Sequence, residues 1–264
     1  MPNRILLMAI NPKLQRLKTH EAILKKRFDV EIFQPFTEEF RPRIVSTFTR
    51  YLVSTLKAEL IPLSAYDIVH FYNIPDILGI PLYQRGIRYV YDIRSTWDKI
   101  RYYYDFPLIN FFADFAVTLE RKLARKSVKV IVVNKLLKER VKKHGINERK
   151  IEIVPNGIDV KNFKKLAKRG YCRKKFGIEK DKFVVTYIGN LSKVEGVDIL
   201  IESIPFVVKK IKSVIFLIVG DGRLKSWAQR RVKELNVEKY VIFTGRVPHE
   251  EIPSIILDLS LIHI

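Results

Sequence analysis

The chain is 264 residues long, with 47% hydrophobic residues and 49 Lys or Arg against 28 Asp or Glu, a formal net charge of +21 at pH 7. That length and apolar content can bury a sizeable core as one large or two small domains, while the lone Cys172 excludes an internal disulfide and fits a cytoplasmic setting. No run approaches eighteen apolar residues, so no membrane span is predicted, and the opening MPNRILLMAINP is too short in apolar residues for a secretory core segment and reads better as a first strand.

Five short apolar runs, Arg4 to Ile10, Val30 to Gln34, Ile68 to Tyr72, Arg88 to Ile93 and Val128 to Val133, are each flanked by helical or turn patterns. They predict a parallel α/β sheet rather than a sandwich, in a first domain spanning residues 1–160. Asp92 ends one of these strands, where an aspartate can orient a hydroxyl or simply cap or turn the chain. In the stretch from Trp97 to Phe115, the aromatics Trp97, Tyr102, Tyr103, Tyr104, Phe106, Phe111, Phe112 and Phe115 form either a face that docks on a bilayer or ordinary core. Basic residues concentrate in Arg121 to Lys150 and Lys161 to Lys175, which attracts phosphates, anionic lipid headgroups or nucleic acid, or else makes solvated helix faces. Nucleic acid is disfavoured, because there is no zinc-finger spacing, RNP-type motif or recognition helix.

Ile151 to Asp159 reads as a strand running into a Pro-Asn-Gly turn, and Lys161 to Lys182 is polar, basic and without apolar periodicity, as expected of a surface crossing between domains. Then comes the most informative stretch. Val184 to Ile188 forms a strand closed by Gly189; a helix follows, with Gly196 and Asp198 at its start and apolar positions at Val197, Leu200, Ile201, Ile204, Val207 and Val208; a second strand, Val214 to Val219, stops at Gly220-Asp221-Gly222. This is a βαβ unit, whose ligands sit outside the carboxyl ends of the strands. Glycine there lets the backbone approach a phosphate, or serves chain reversal alone. A further strand, Tyr240 to Gly245, precedes Val247-Pro248-His249-Glu250, where His249 and Glu250 read as a helix start. His20, His70, His144, His249 and His263 are scattered and no Asp-x-Asp occurs, so no metal site is predicted. No Gly-x-Gly-x-x-Gly follows a strand, which argues against dinucleotide binding.

The order of IVPNGID, a polar connector, YIGNLSKVEG, a helix, IVGDG, a helix and Val241-Ile242-Phe243-Thr244-Gly245 resembles glycosyltransferase family 4. The likeness extends back through TLERKLARKSVKVIVVN to Tyr66-Asp67-Ile68-Val69-His70 and Val90-Tyr91-Asp92-Ile93-Arg94-Ser95-Thr96-Trp97, covering about residues 66–258. The resemblance implies an α/β protein with two Rossmann-like domains facing across a cleft (the GT-B fold): an acceptor-side domain over 1–160 and a donor domain over 161–264. It implies retaining, metal-independent transfer of a sugar from a nucleotide-diphosphate sugar, without cofactor, to a glycan or lipid-linked acceptor. A peripheral contact with the anionic inner face of the cell membrane is part of the same expectation. Donor-binding residues implied by the match are Gly189, Asn190, Lys193, Gly196, Gly220, Asp221, Gly222, Arg223, Gly245, Arg246 and Val247.

Several positions depart from the family pattern. Aligning Gly189 and Gly196 puts Asn190 where the family has arginine and Glu195 where it has lysine, so both cations that neutralise the donor diphosphate are missing; Lys193 and Arg223 are the candidate substitutes. On the acceptor side, Arg94 and Ser95 stand where many relatives carry His-Asp, which leaves Asp92, Arg94 and Ser95 as candidate acceptor-side residues. Arginine is no base near neutral pH, so Arg94 would bind phosphate or an anionic acceptor. Ala9-Ile10-Asn11-Pro12-Lys13 replaces the usual Gly-Gly of the first loop. These departures motivate an alternative, a catalytically weak relative that binds a glycan or a partner. Finally, Leu259-Ser260-Leu261-Ile262-His263-Ile264 is what CTGTCTCTTATACACATC encodes, the start of a common transposon-based sequencing adapter. Those six residues are expected to be non-native, the second domain incomplete, and the chain as it stands inactive.

Overall fold

The computed structural model describes residues 3–9, 15–33, 35, 47–73, 76–97 and 107–263. The chain divides into two compact units, Met1–Gly157 and Ile158–Ile264.

The first unit is built on six strands, β1 (Arg4–Met8), β2 (Asp29–Phe33), β3 (Ile68–Tyr72), β4 (Tyr89–Ile93), β5 (Lys129–Val132) and β6 (Ile151–Ile153), in the order β2-β1-β3-β4-β5-β6. All neighbouring pairs are parallel. The apolar runs follow from burial on both faces. Successive residues of β1 serve opposite cores: Leu6 and Met8 pack with Val69, Phe71, Tyr91 and Leu123, whereas Ile5, Leu7 and Ala9 pack with Leu17, Val30 and Tyr72. Helices Gln15–Leu24, Thr47–Glu59, Ile80–Gln84, Pro107–Lys126 and Lys135–Lys143 connect the strands. Strand order reverses between β1 and β3, the topological switch point at which open sheets bind ligands.

The second unit has four parallel strands, β7 (Phe183–Ile188), β8 (Val214–Val219), β9 (Val241–Gly245) and β10 (Leu261–His263), in the order β10-β7-β8-β9. Alternation again fills two cores: Val214, Phe216 and Ile218 face the helices Val197–Lys210 and Lys225–Glu234, whereas Leu217 and Val219 pack with Cys172, Ile178 and Ile255. The predicted βαβ unit is present, with β7 and β8 parallel in register from Phe183↔Val214 to Ile188↔Val219.

The segment Lys161 to Lys182 is not a plain polar crossing. It folds as helices Val160–Leu166 and Tyr171–Phe176, with Cys172 and Ile178 in the core. The buried Asp258 carboxylate accepts from the amides of Gly170 (2.6 Å) and Cys172 (2.8 Å) and so ties the helix start to the end of the helix Ile252–Asp258. A helix of six residues needs only two or three apolar positions, too few to register as periodicity. In the aromatic stretch, residues 98–106 and the side chains of Phe111 and Phe112 lie outside the described residues; the Trp97 indole donates to Asp76, and Phe115 is exposed. Residues 10–13 of the first loop also lie outside them. Among the described residues no helix is long and apolar enough to cross a membrane.

Candidate functional site

Three turns converge at the carboxyl ends of β7, β8 and β9. The Gly189 amide donates to the Val219 carbonyl (3.0 Å), the Gly220 amide to Gly245 (2.9 Å), and the Leu191 amide to Asp221 (3.0 Å). Gly220, at φ +143°, allows this packing, because a Cβ there would stand 1.9 Å from the Gly189 carbonyl oxygen. No side chain fits such a gap, and the backbone conformation itself disfavours one. Gly222 is held in the same way, its notional Cβ 2.4 Å from the Leu191 carbonyl oxygen.

The turns enclose a cavity of about 410 Å³ lined by Gly189, Asn190, Gly220, Asp221, Arg246 and Val247, with Ile188, Val219, His249 and Ile252. Six residues of the sequence-derived donor set therefore meet at one place. Gly222 and Gly245 lie in the turns that support it, whereas Gly196 caps the helix Val197–Lys210 in a left-handed conformation. Lys193 is exposed in the short turn Lys193–Glu195, Arg223 is exposed ahead of the helix Lys225–Glu234, and neither lines the cavity. Arg246 lines the cavity; Lys225 lies outside its lining but reaches the Asp221 carboxylate, Nζ to Oδ2 3.2 Å. The Gly222 amide, with Lys225 and Arg246, holds the Asp221 carboxyl below its ordinary value. A second basic cavity, about 350 Å³ and rimmed by Lys182, Lys212 and Lys239, lies at the amino-terminal ends of the same strands.

In the first unit, the carboxyl ends of β3, β4 and β6 and the helix Gln15–Leu24 surround a cavity of about 600 Å³ lined by Arg16, Thr19, His20, His70, Arg94, Asn156 and apolar residues including Ile131 and Val154. Arg16 and His20, four residues apart, share one helix face. Arg16 Nε donates to Asp92 Oδ2 (2.8 Å), its Nη1 donates to Asn156 Oδ1 (3.1 Å), and His70 Nε2 shares the Asp92 oxygen (3.2 Å). His20 Nδ1 contacts the Tyr72 hydroxyl at 2.7 Å, and His70 stacks on Tyr72. Burial acts to raise the Asp92 carboxyl, but His70 and Arg16 overcome it and hold it below its ordinary value. Burial, with His70 and Arg16 beside it, pulls His20 down to about 4, so its ring is neutral near pH 7.

Of the acceptor-side candidates, Arg94 lines this cavity. Asp92 is fully buried behind it, holding Arg16 and His70. Ser95 contributes its carbonyl to Asn73 Nδ2 (2.6 Å), while Asn73 Oδ1 accepts from the Arg94 amide (2.9 Å), a clamp joining the ends of β3 and β4. Sequence reasoning missed Arg16, His20, His70 and Asn156 here. Two of the five histidines read as scattered meet: His20, His70 and Asp92 place ligand-type atoms within 4.8 Å of one another. The detectable signal was the four-residue spacing of Arg16 and His20; their meeting with His70 is tertiary.

Residues 15–162 match the family model "Glycosyltransferase Family 4" and residues 170–262 match "Glycosyl transferases group 1". The chain is 30% identical over 105 residues to the GDP-mannose-dependent alpha-(1-6)-phosphatidylinositol monomannoside mannosyltransferase of Mycolicibacterium smegmatis, covering 39% of this chain and 27% of that protein. To the alpha-monoglucosyldiacylglycerol synthase of Acholeplasma laidlawii it is 23% identical over 223 residues, covering 80% and 54%. The chain thus spans about half or less of the length of these relatives. Its fold is similar to that of Anabaena HepE, solved in complex with UDP and glucose, with TM-score 0.66 and 16% identity over 98% of this chain and 73% of that one. The fold is of the GT-B class, two Rossmann-like units, and the chain belongs to Glycosyltransferase Family 4.

Proposed function

We propose that the protein transfers a sugar, with retention, from a nucleoside-diphosphate sugar to a glycan or lipid-linked acceptor. The bond from the anomeric carbon to the diphosphate breaks, the same carbon bonds the acceptor oxygen, and the acceptor's proton leaves with the diphosphate. Negative charge develops on the diphosphate, so donors aimed at it stabilise the transition state most. The observation that carries this reading is the meeting of the Gly189, Gly220 and Gly245 turns around one cavity, with Gly220 packed against the Gly189 carbonyl. Arg246 and Lys225 take the part of the family cations absent at Asn190 and Glu195, in preference to Lys193 and Arg223. The names of the M. smegmatis and A. laidlawii relatives support a nucleotide-sugar donor and a lipid acceptor, and the HepE complex supports UDP as the nucleotide. The charge of +21 supports peripheral contact with anionic membrane.

The test is release of nucleoside diphosphate from UDP-glucose, UDP-N-acetylglucosamine and GDP-mannose by the protein expressed from its native open reading frame. Turnover is expected with at least one donor, falling tenfold or more in Arg246→Gln and less than twofold in Lys193→Ala. Saturable glycan binding without turnover would favour the second reading, a catalytically weak relative, for which Asn190 and Glu195 speak.

A further inference from the structure

The cavity of the first unit holds a pair of cations that its internal bonds do not exhaust. Arg16 is 7% exposed and spends Nε on Asp92 and Nη1 on Pro155 and Asn156, yet its buried Nη2 has no hydrogen-bond partner among the described residues. Arg94, half-buried on the same cavity, likewise leaves a buried Nε without a partner among them. A buried guanidinium nitrogen left unpaired costs about 1–3 kcal/mol or more, and native structures rarely keep one without a use. Two on one cavity mark a place for a group that only accepts hydrogen bonds.

The sign of the charge decides what that group is. Arg16 and Arg94 bring two positive charges, Asp92 one negative, and His20 is neutral. His20, His70 and Asp92 have the spacing of metal ligands, and Asp92 Oδ1 has no partner among the described residues, but Asp92 Oδ2 is held by Arg16 and His70, and His20 Nδ1 by Tyr72. A divalent cation on the remaining Asp92 oxygen would sit against the Arg16 guanidinium, which that same carboxylate already neutralises. An oxyanion would meet the free nitrogens instead, in the fork geometry that arginine offers to phosphate and carboxylate. The rest of the wall, with Ile23, Leu24, Ile131 and Val154, is apolar and suits the uncharged body of such a molecule.

We propose that Arg16 and Arg94 form an oxyanion-binding site, and that the acceptor carries a phosphate or carboxylate group held there. The inference rests on the sugar-transfer reading only for the word acceptor; the anion site stands on its own geometry. Two sources share this chemistry, and the experiment separates them. Arginine Nε–H resonances of the wild-type protein, assigned by through-bond correlation to the backbone, are followed while inorganic phosphate, glycerol 1-phosphate and glucuronate are titrated at constant ionic strength, with Arg94→Gln and Arg94→Lys compared and Arg246→Gln as a control in the second unit. A saturable shift of the Arg94 resonance is expected, with affinity, read on the Arg16 resonance in the variants, lowered at least fivefold in Arg94→Gln, partly restored in Arg94→Lys, and unchanged in Arg246→Gln. Response to the phosphates alone assigns a phosphorylated acceptor, and response to glucuronate alone a carboxylated one. An Arg94 resonance that moves with none of the three overturns the proposal, as does binding that Arg246→Gln weakens and Arg94→Gln does not. Because the wild-type resonance is read directly, a variant that fails to fold leaves the result intact, and loss of UDP binding to the second unit would contradict the transfer reading without touching this one.

Discussion

Asp76 is fully buried, accepts hydrogen bonds from the Tyr91 hydroxyl and the Trp97 indole, and is raised to about 7 by burial and by Glu120. Its native value lies above the unfolded one, so its contribution to stability is complete below about pH 4 and is lost as pH rises through 7, roughly 4 kcal/mol if fully expressed. His20 acts in the opposite sense. Its native value of about 4 lies below the unfolded 6.5, so its contribution is present above that pH and lost as pH falls toward 4. Urea unfolding should therefore show the wild-type advantage over Asp76→Asn shrinking from pH 5 to pH 8, and the advantage over His20→Gln growing from pH 4.5 to pH 7. Differences constant with pH would contradict both assignments. Neither residue was legible from the sequence as titrating in this range. Asp76 follows a proline in an ordinary-looking turn, and the depression of His20 comes first from burial and then from His70, fifty residues away, and Arg16. Arg94, by contrast, was legible because it stands at the position where many members of the resembled family carry a histidine, and it lines the cavity.

At the scale of elements, the strands were readable and the short helices were not. Every strand of both sheets except β10 overlapped a predicted run, β2 and β7 starting one residue before theirs, because burial on two faces leaves few polar residues in a parallel strand. The helix Tyr171–Phe176 is anchored by Cys172 and Asp258, and the end of Val160–Leu166 by the Ser254 hydroxyl on the Leu166 carbonyl, and single anchors leave no pattern. β10 pairs with β7 through backbone groups, which any short apolar run can supply. The turn glycines divide the same way into those that pack and those that only bend. Gly220→Ala forces a Cβ into the Gly189 carbonyl at φ +143° and should cost roughly 2–4 kcal/mol. Gly196→Ala, with φ +71° but open space around it, should cost about 1 kcal/mol; both glycine geometries are given by the backbone. Equal losses in chemical unfolding would show that the Gly189–Gly220 contact is not tight.

For the molecule as a whole, the family, the parallel sheets and the glycine turns at strand ends followed from motif order, but which cations lie beside those turns did not. Lys225 pairs with Asp221 four residues before it, at the start of its helix, whereas Arg246 comes from the next strand end and only folding brings it beside Asp221. With a charge of +21, nucleotides will be drawn to many surfaces at low salt, and the lysine-rimmed cavity at the amino-terminal ends of β7, β8 and β9 competes with the proposed site. The most direct measurement is therefore amide chemical-shift mapping during UDP titration at 0.15 M salt. The prediction is saturable shifts at Gly189, Asn190, Gly220, Asp221, Arg246 and Val247, with Lys182, Lys212 and Lys239 unmoved; shifts confined to those three lysines and their neighbours would contradict it.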